Sequence, residues 1–144
     1  RVNYTISATP DFDHVFVNSD FVKSNDTLET VPGFSYTLEP NSTYVGNAFI
    51  YFNSGAGGSK WRFQYSGTTL ALRNGGSWND SSVGTGNLDA TLSNDTPGNR
   101  MSVYNFYIVT NSGGVLSFQF AQNSANAQES TLLHGSYLRI HKVN

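Results

Sequence analysis

An antiparallel β-sandwich of about eight to ten short strands is predicted for this 144-residue chain by three observations. Apolar and polar residues alternate at period 2 in several segments, turn signals recur roughly every 8 to 12 residues, and no segment carries a helical period. Composition agrees. Asn, Ser and Gly weaken a helical backbone, and 14 Gly against 4 Pro supply many tight turns.

Residues 1–19 come first, with Val2, Tyr4 and Ile6, a turn at Thr9-Pro10, and the run Phe12 to Val17. They read as an arm or edge strand tethering a domain that spans 20–144; the alternative is a first strand of the same sandwich. Asp11, Asp13 and Asp20 lack the ordered ligand ladder of a calcium loop and read as solvated turn carboxylates. From Thr27 to Leu38 two short strands are expected around Val31-Pro32-Gly33, where Pro sets one turn dihedral and Gly frees the next. Pro40-Asn41-Ser42 turns the chain again.

Ala48 to Phe52 is apolar on both faces, which suits a strand that is central or has its second face covered. The loop 53–59 holds three glycines. In Lys60 to Tyr65, Trp61, Phe63 and Tyr65 face a core while Lys60, Arg62 and Gln64 face water. Residues 66–100 carry Leu70, Leu72, Trp78, Val83, Leu88 and Leu92 in a polar background, as two short strands with long loops would. Met101 to Thr110 places Tyr104, Phe106 and Ile108 on one face and Val103, Tyr107 and Val109 on the other.

After a turn at 111–114, the last two strands form a closing pair. Leu116, Phe118 and Phe120 alternate with polar or small residues, and a polar loop leads to Tyr137 through Val143. Leu138 and Ile140 share one face of the final strand; Tyr137, Arg139 and His141 share the other.

Composition excludes several functions. One domain is expected, burying about two-thirds of its unfolded surface. Only 12% of residues are charged, so amides and hydroxyls solvate the surface. A net charge of −2 without any Lys/Arg run argues against a nucleic-acid partner. The absence of cysteine removes disulfides and thiolate metal sites, and His14, His134 and His141 are too scattered for a zinc site, so no metal or cofactor is expected. No apolar run approaches the ~20 residues of a membrane span, and no basic-then-apolar leader is present. The chain starts at Arg1 rather than Met, which fits a processed product or an excised domain.

No catalytic motif emerges. The glycine-rich segments at 55–58, 75–76 and 84–86 lack the Lys-Ser/Thr of a phosphate loop, and no nucleophile elbow marks a serine. Glu29, Glu39 and Glu129 each lie beside a turn or polar loop and read as solvated side chains rather than a glycosidase pair. Five Asn-x-Ser/Thr sequons, at Asn3, Asn25, Asn41, Asn79 and Asn94, are what chance gives in so Asn-rich a chain. Trp78, with Asn79 and Asp80, is the candidate for glycan binding, since a sugar site needs a ring for stacking and a few polar groups for orientation. The competing reading is a tryptophan that caps the open end of the sandwich.

The run Leu116-Ser117-Phe118-Gln119-Phe120-Ala121-Gln122-Asn123, followed by Leu132-Leu133-His134-Gly135-Ser136-Tyr137-Leu138-Arg139-Ile140, resembles the end of a jelly-roll domain found in structural proteins of tailed bacteriophages. Val31 to Leu38, Asn41 to Tyr44 and Ala48 to Phe52 are similar to its earlier segments in the same order. Such domains resemble the trimeric jelly roll of tumour necrosis factor. The resemblance implies a non-enzymatic virion protein, a homotrimer serving as capsid decoration, head fibre or tail fibre, with other virion proteins such as the major capsid protein as partners. It also implies that the last strand faces the three-fold axis, placing Tyr137, Arg139 and His141 at the subunit interface near Tyr107 and Gln119 of adjacent strands. The alternatives are that this face is solvated, and that the chain is a carbohydrate- or receptor-binding adhesion module acting on a host-surface glycan through Trp78.

Overall fold

The computed structural model describes residues 12–78, 81–83 and 91–144, without the side chains of 71–78 and 81–83. It is an antiparallel β-sandwich with no helix among the described residues. The larger sheet contains β1 (Asp13–Phe16), β2 (Phe21–Lys23), β4 (Thr43–Ser54), β6 (Thr69–Trp78), β7 (Ser81–Val83), β9 (Gly98–Thr110), β11 (Ser130–Leu132) and β12 (Tyr137–Lys142). The smaller contains β3 (Glu29–Leu38), β5 (Ser59–Tyr65), β8 (Leu92–Asn94) and β10 (Gly114–Ala121).

The large sheet runs β1-β12-β4-β9-β6-β7, with β11 beside β4 and β2 beside β11; the small sheet runs β3-β10-β5-β8. The first strand thus pairs with the last, and most connections cross from one sheet to the other, as in Greek-key sandwiches. Twelve described strands exceed the eight to ten expected. The surplus is in β2, β7, β8 and β11, whose three residues are too few to show a period of 2.

The expected closing pair is not a pair. β10 lies between β3 and β5, whereas β12 lies between β1 and β4 in the opposite sheet. Alternation fixes which side chains face the core but not which strand supplies the backbone partner. The two strands expected over 27–38 are likewise one strand with a bulge. Val31 and Phe34, three positions apart, are both buried, and the register with β10 shifts between Ser117 and Gln119. Gly33 sits there at φ 73°, a conformation that favours glycine, and Pro32 withholds an N–H, so this edge strand is blunted against further pairing.

The core is aromatic and drawn from both sheets. Phe63 meets Phe118 of its own sheet with ring centroids 4.9 Å apart, and Tyr104 and Phe106 of the other at 5.0 and 5.1 Å, all edge-on. Phe52 lies 4.5 Å from Trp61, and Leu38, Ile50, Ile108, Leu116, Leu132 and Leu138 fill the remainder. Hydroxyls satisfy buried polar groups: Trp61 Nε1 donates to Ser102 Oγ (3.3 Å), and Gly55 N donates to Ser130 Oγ (3.0 Å).

Residues 13–16 belong to the sheet. His14, Val15 and Phe16 stand opposite Arg139, Leu138 and Tyr137, and Val17 is a core residue. β1 lies at the edge of the larger sheet, beside β12; residues 1–11 lie outside the described residues.

Candidate functional site

The outward faces of the two sheets differ in chemistry. That of the small sheet is polar. Thr30, Ser35 and Thr37 of β3, Ser117 and Gln119 of β10, and Arg62 and Gln64 of β5 alternate with buried apolar residues. Arg62 Nε donates to Gln119 Oε1 (2.6 Å), and Gln119 Nε2 donates to Thr30 Oγ1 (3.5 Å), a ladder suited to water.

The large sheet turns a row of aromatic rings outward. β12 pairs with β1 on one side and β4 on the other, which aligns Phe16, Tyr137 and Phe49 across three strands. Tyr137 stacks on Phe49 (5.1 Å, 26°) and lies 5.7 Å from Phe16, which stacks with His14 at 6.1 Å. Two outward positions along, past Asn47 opposite Arg139, Val45 stands opposite both His141 and Tyr107. The Arg139 guanidinium lies 3.9 Å above the centroid of the Phe12 ring, which is 5.2 Å from that of His141. Phe16, Met101 and Tyr107 remain 48%, 44% and 42% exposed, large for apolar groups on one sheet face.

Arg139, His14 and His141 project from this face, Arg139 and His141 both against the Phe12 ring. Asp13, on the same strand as His14, accepts from the Tyr36 hydroxyl, and Glu39 accepts from Lys142 Nζ.

Four of the five residues expected at an interface therefore share one surface: Tyr107, Tyr137, Arg139 and His141. Gln119 does not join them; it lies on the outward face of the opposite sheet, because β10 pairs in the small sheet rather than beside β12. The sequence reading missed Phe12, His14, Phe16 and Phe49 as members. Phe12, His14 and Phe16 have the even spacing of a common face, a signal present in the sequence, but only the β1–β12 pairing brings them against Tyr137 and Arg139.

Of the glycan candidates, Asn79 and Asp80 lie outside the described residues. The backbone of Trp78 ends β6, opposite Ser102 of β9 and Ser81 of β7. Asp13 and Asp20 point to different partners, Asp20 accepting from the His134 backbone N–H (2.8 Å) and lying 2.7 Å from His134 Nδ1. Those bonds hold the Asp20 carboxyl below its usual pKa, the backbone bond contributing most. Among the described residues, no three His, Asp or Glu side chains gather as metal ligands would. Asn94, one of the sequon asparagines, is buried at 3% exposure, whereas Asn41 and Asn25 are exposed.

No protein-family model matches the chain, and no curated protein matches it.

Proposed function

We propose that this chain is a non-enzymatic structural protein of a tailed-phage virion, a jelly roll of the tumour-necrosis-factor type that assembles as a homotrimer for capsid decoration or as part of a fibre. The observation that carries the reading is the contrast between the two outward faces. The small sheet presents a polar ladder, whereas the large sheet presents half-exposed aromatic rings and Arg139. Aromatic and Arg-rich surfaces are what subunit interfaces are enriched in. The sequence resemblance of the regions around β10 and β12 to phage jelly rolls supplies the virion setting, with the major capsid protein or another virion component as partner.

The test is the mass of the full chain in solution and its response to Tyr137→Ala. Tyr137 lies centrally in the ring row, and removing such an anchor from an interface typically costs ~2 kcal/mol or more. A trimer that dissociates or melts earlier in the variant supports the reading. A monomeric wild-type chain at micromolar concentration refutes it.

A second reading is favoured by the same rings. The exposed strip of Phe16, Tyr137 and Phe49 is also an apolar surface against which a host-surface glycan can lie. Glycan binding by a monomer, lost in Tyr137→Ala and retained in Trp78→Ala, supports that reading and moves the sugar site away from Trp78.

A further inference from the structure

We infer that Asn47 and Asn105 set the register and copy number of the assembly made through the outward face of the large sheet, by pairing with the same two amides of another subunit; this rests on the homotrimer reading above. β4 and β9, the longest described strands, run side by side through the middle of that sheet. Asn47 and Asn105 stand opposite one another near the centre of their outward face. The facing pairs on either side are apolar or aromatic, Val45 with Tyr107 and Phe49 with Val103. Asn is disfavoured in the middle of a strand. Among the described residues, moreover, Asn47 Oδ1 is buried and has no hydrogen-bond partner, which costs free energy in the isolated chain.

The occupant that fits this amide pair is a second copy of it. A carboxamide carries both N–H donors and an oxygen acceptor, so the pair is its own complement when symmetry brings two such faces together. The terminal torsion of an asparagine is soft, which lets Oδ1 turn toward a donor that arrives. Apolar contact is non-directional, and the rings and valines on either side would tolerate a slid packing or another number of copies. The amides do not. Any packing that sets them against an apolar ring strands polar groups in a contact emptied of water. A lone buried asparagine fixes register and strand number in coiled coils by the same physics, at a cost in stability.

The experiment is sedimentation velocity with native mass spectrometry on the full chain and on the double substitution Asn47→Val and Asn105→Val. Valine suits a strand and continues the apolar surface across the gap. The expected result is a wild-type chain of one stoichiometry and a variant that associates at least as tightly but as a mixture of sizes. Asn105→Asp, at an exposed position, brings like charges together in the contact and is expected to raise the dissociation constant on the order of a hundredfold. Ser117→Asp, on the outward face of the small sheet, leaves it unchanged. If the double variant fails to fold, Asn105→Val alone decides by the same readout. A valine variant that stays a single trimer of unchanged affinity overturns the inference while leaving the homotrimer reading standing, as does an Asn105→Asp trimer as tight as the wild type. A valine variant that falls wholly to monomer also overturns it, because the amides would then hold the assembly rather than select its geometry. A monomeric wild-type chain overturns both.

Discussion

The Tyr36 hydroxyl donates to the Asp13 carboxylate, joining β3 of the small sheet to β1 of the large one across the open side of the sandwich. Burial first, and then this hydrogen bond, push the Tyr36 phenol up to about 12, because both oppose its ionisation. The folded value lies above the ordinary value of 10.0, so the stability that the group contributes is complete below pH 10 and is lost as pH rises through about 12. Tyr36→Phe is expected to lower stability at pH 8 by about 1 kcal/mol or less, since the pair is open to water. Denaturant melts of the two chains should converge as pH approaches 12.

Lys23 is a buried cation whose partner is mostly exposed. Its side chain is 7% accessible and its Nζ lies 2.5 Å from Glu29 Oε2, whose side chain is 59% accessible. Removing the carboxylate leaves a buried charge without its described partner, whereas removing the lysine leaves the carboxylate in water. Glu29→Gln should therefore destabilise the fold by about 2 kcal/mol, and Lys23→Met by less than about 1 kcal/mol. Urea melts showing the reverse order would refute this account.

Phe63 is the aromatic hub between the sheets, touching Phe34, Tyr104, Phe106 and Phe118. Truncation opens a cavity that rings on four sides cannot collapse to fill. Phe63→Ala is expected to cost about 3 to 5 kcal/mol, measured as a lowered urea midpoint. Phe63→Leu should recover much of that loss.

Asp20 ties the turn after β1 to the loop before β12 through His134. Its pKa is lowered from the ordinary 3.8, chiefly by the His134 backbone N–H. Its contribution is therefore present above pH 3.8 and is lost as pH falls through the lower, folded value. Asp20→Asn should melt earlier than the wild-type chain at pH 6, and the difference should shrink toward pH 2. A constant difference across that range would mean that the carboxylate charge is not what holds the loop.

The class of fold and much of the core were legible in the sequence, because a period of 2 is a local property. Trp61, Phe63, Phe118, Phe120, Leu138 and Ile140 had to face one way if their segments were strands, and all are buried. The same rule put Tyr137, Arg139 and His141 on the opposite face of β12. Alternation cannot say which strands are neighbours, since partners in this sandwich are far apart along the chain: β1 with β12, β3 with β10, β4 with β9. The resemblance put Gln119 on a strand adjacent to Tyr137, and the crossing between sheets after β10 separates them. Phe12, His14 and Phe16 became members of the aromatic face only when β1 added to the edge of β12. Sequence thus determined the inside and outside of each strand through local geometry. The composition of the outward face was decided by pairing, a long-range choice that only the packed core enforces.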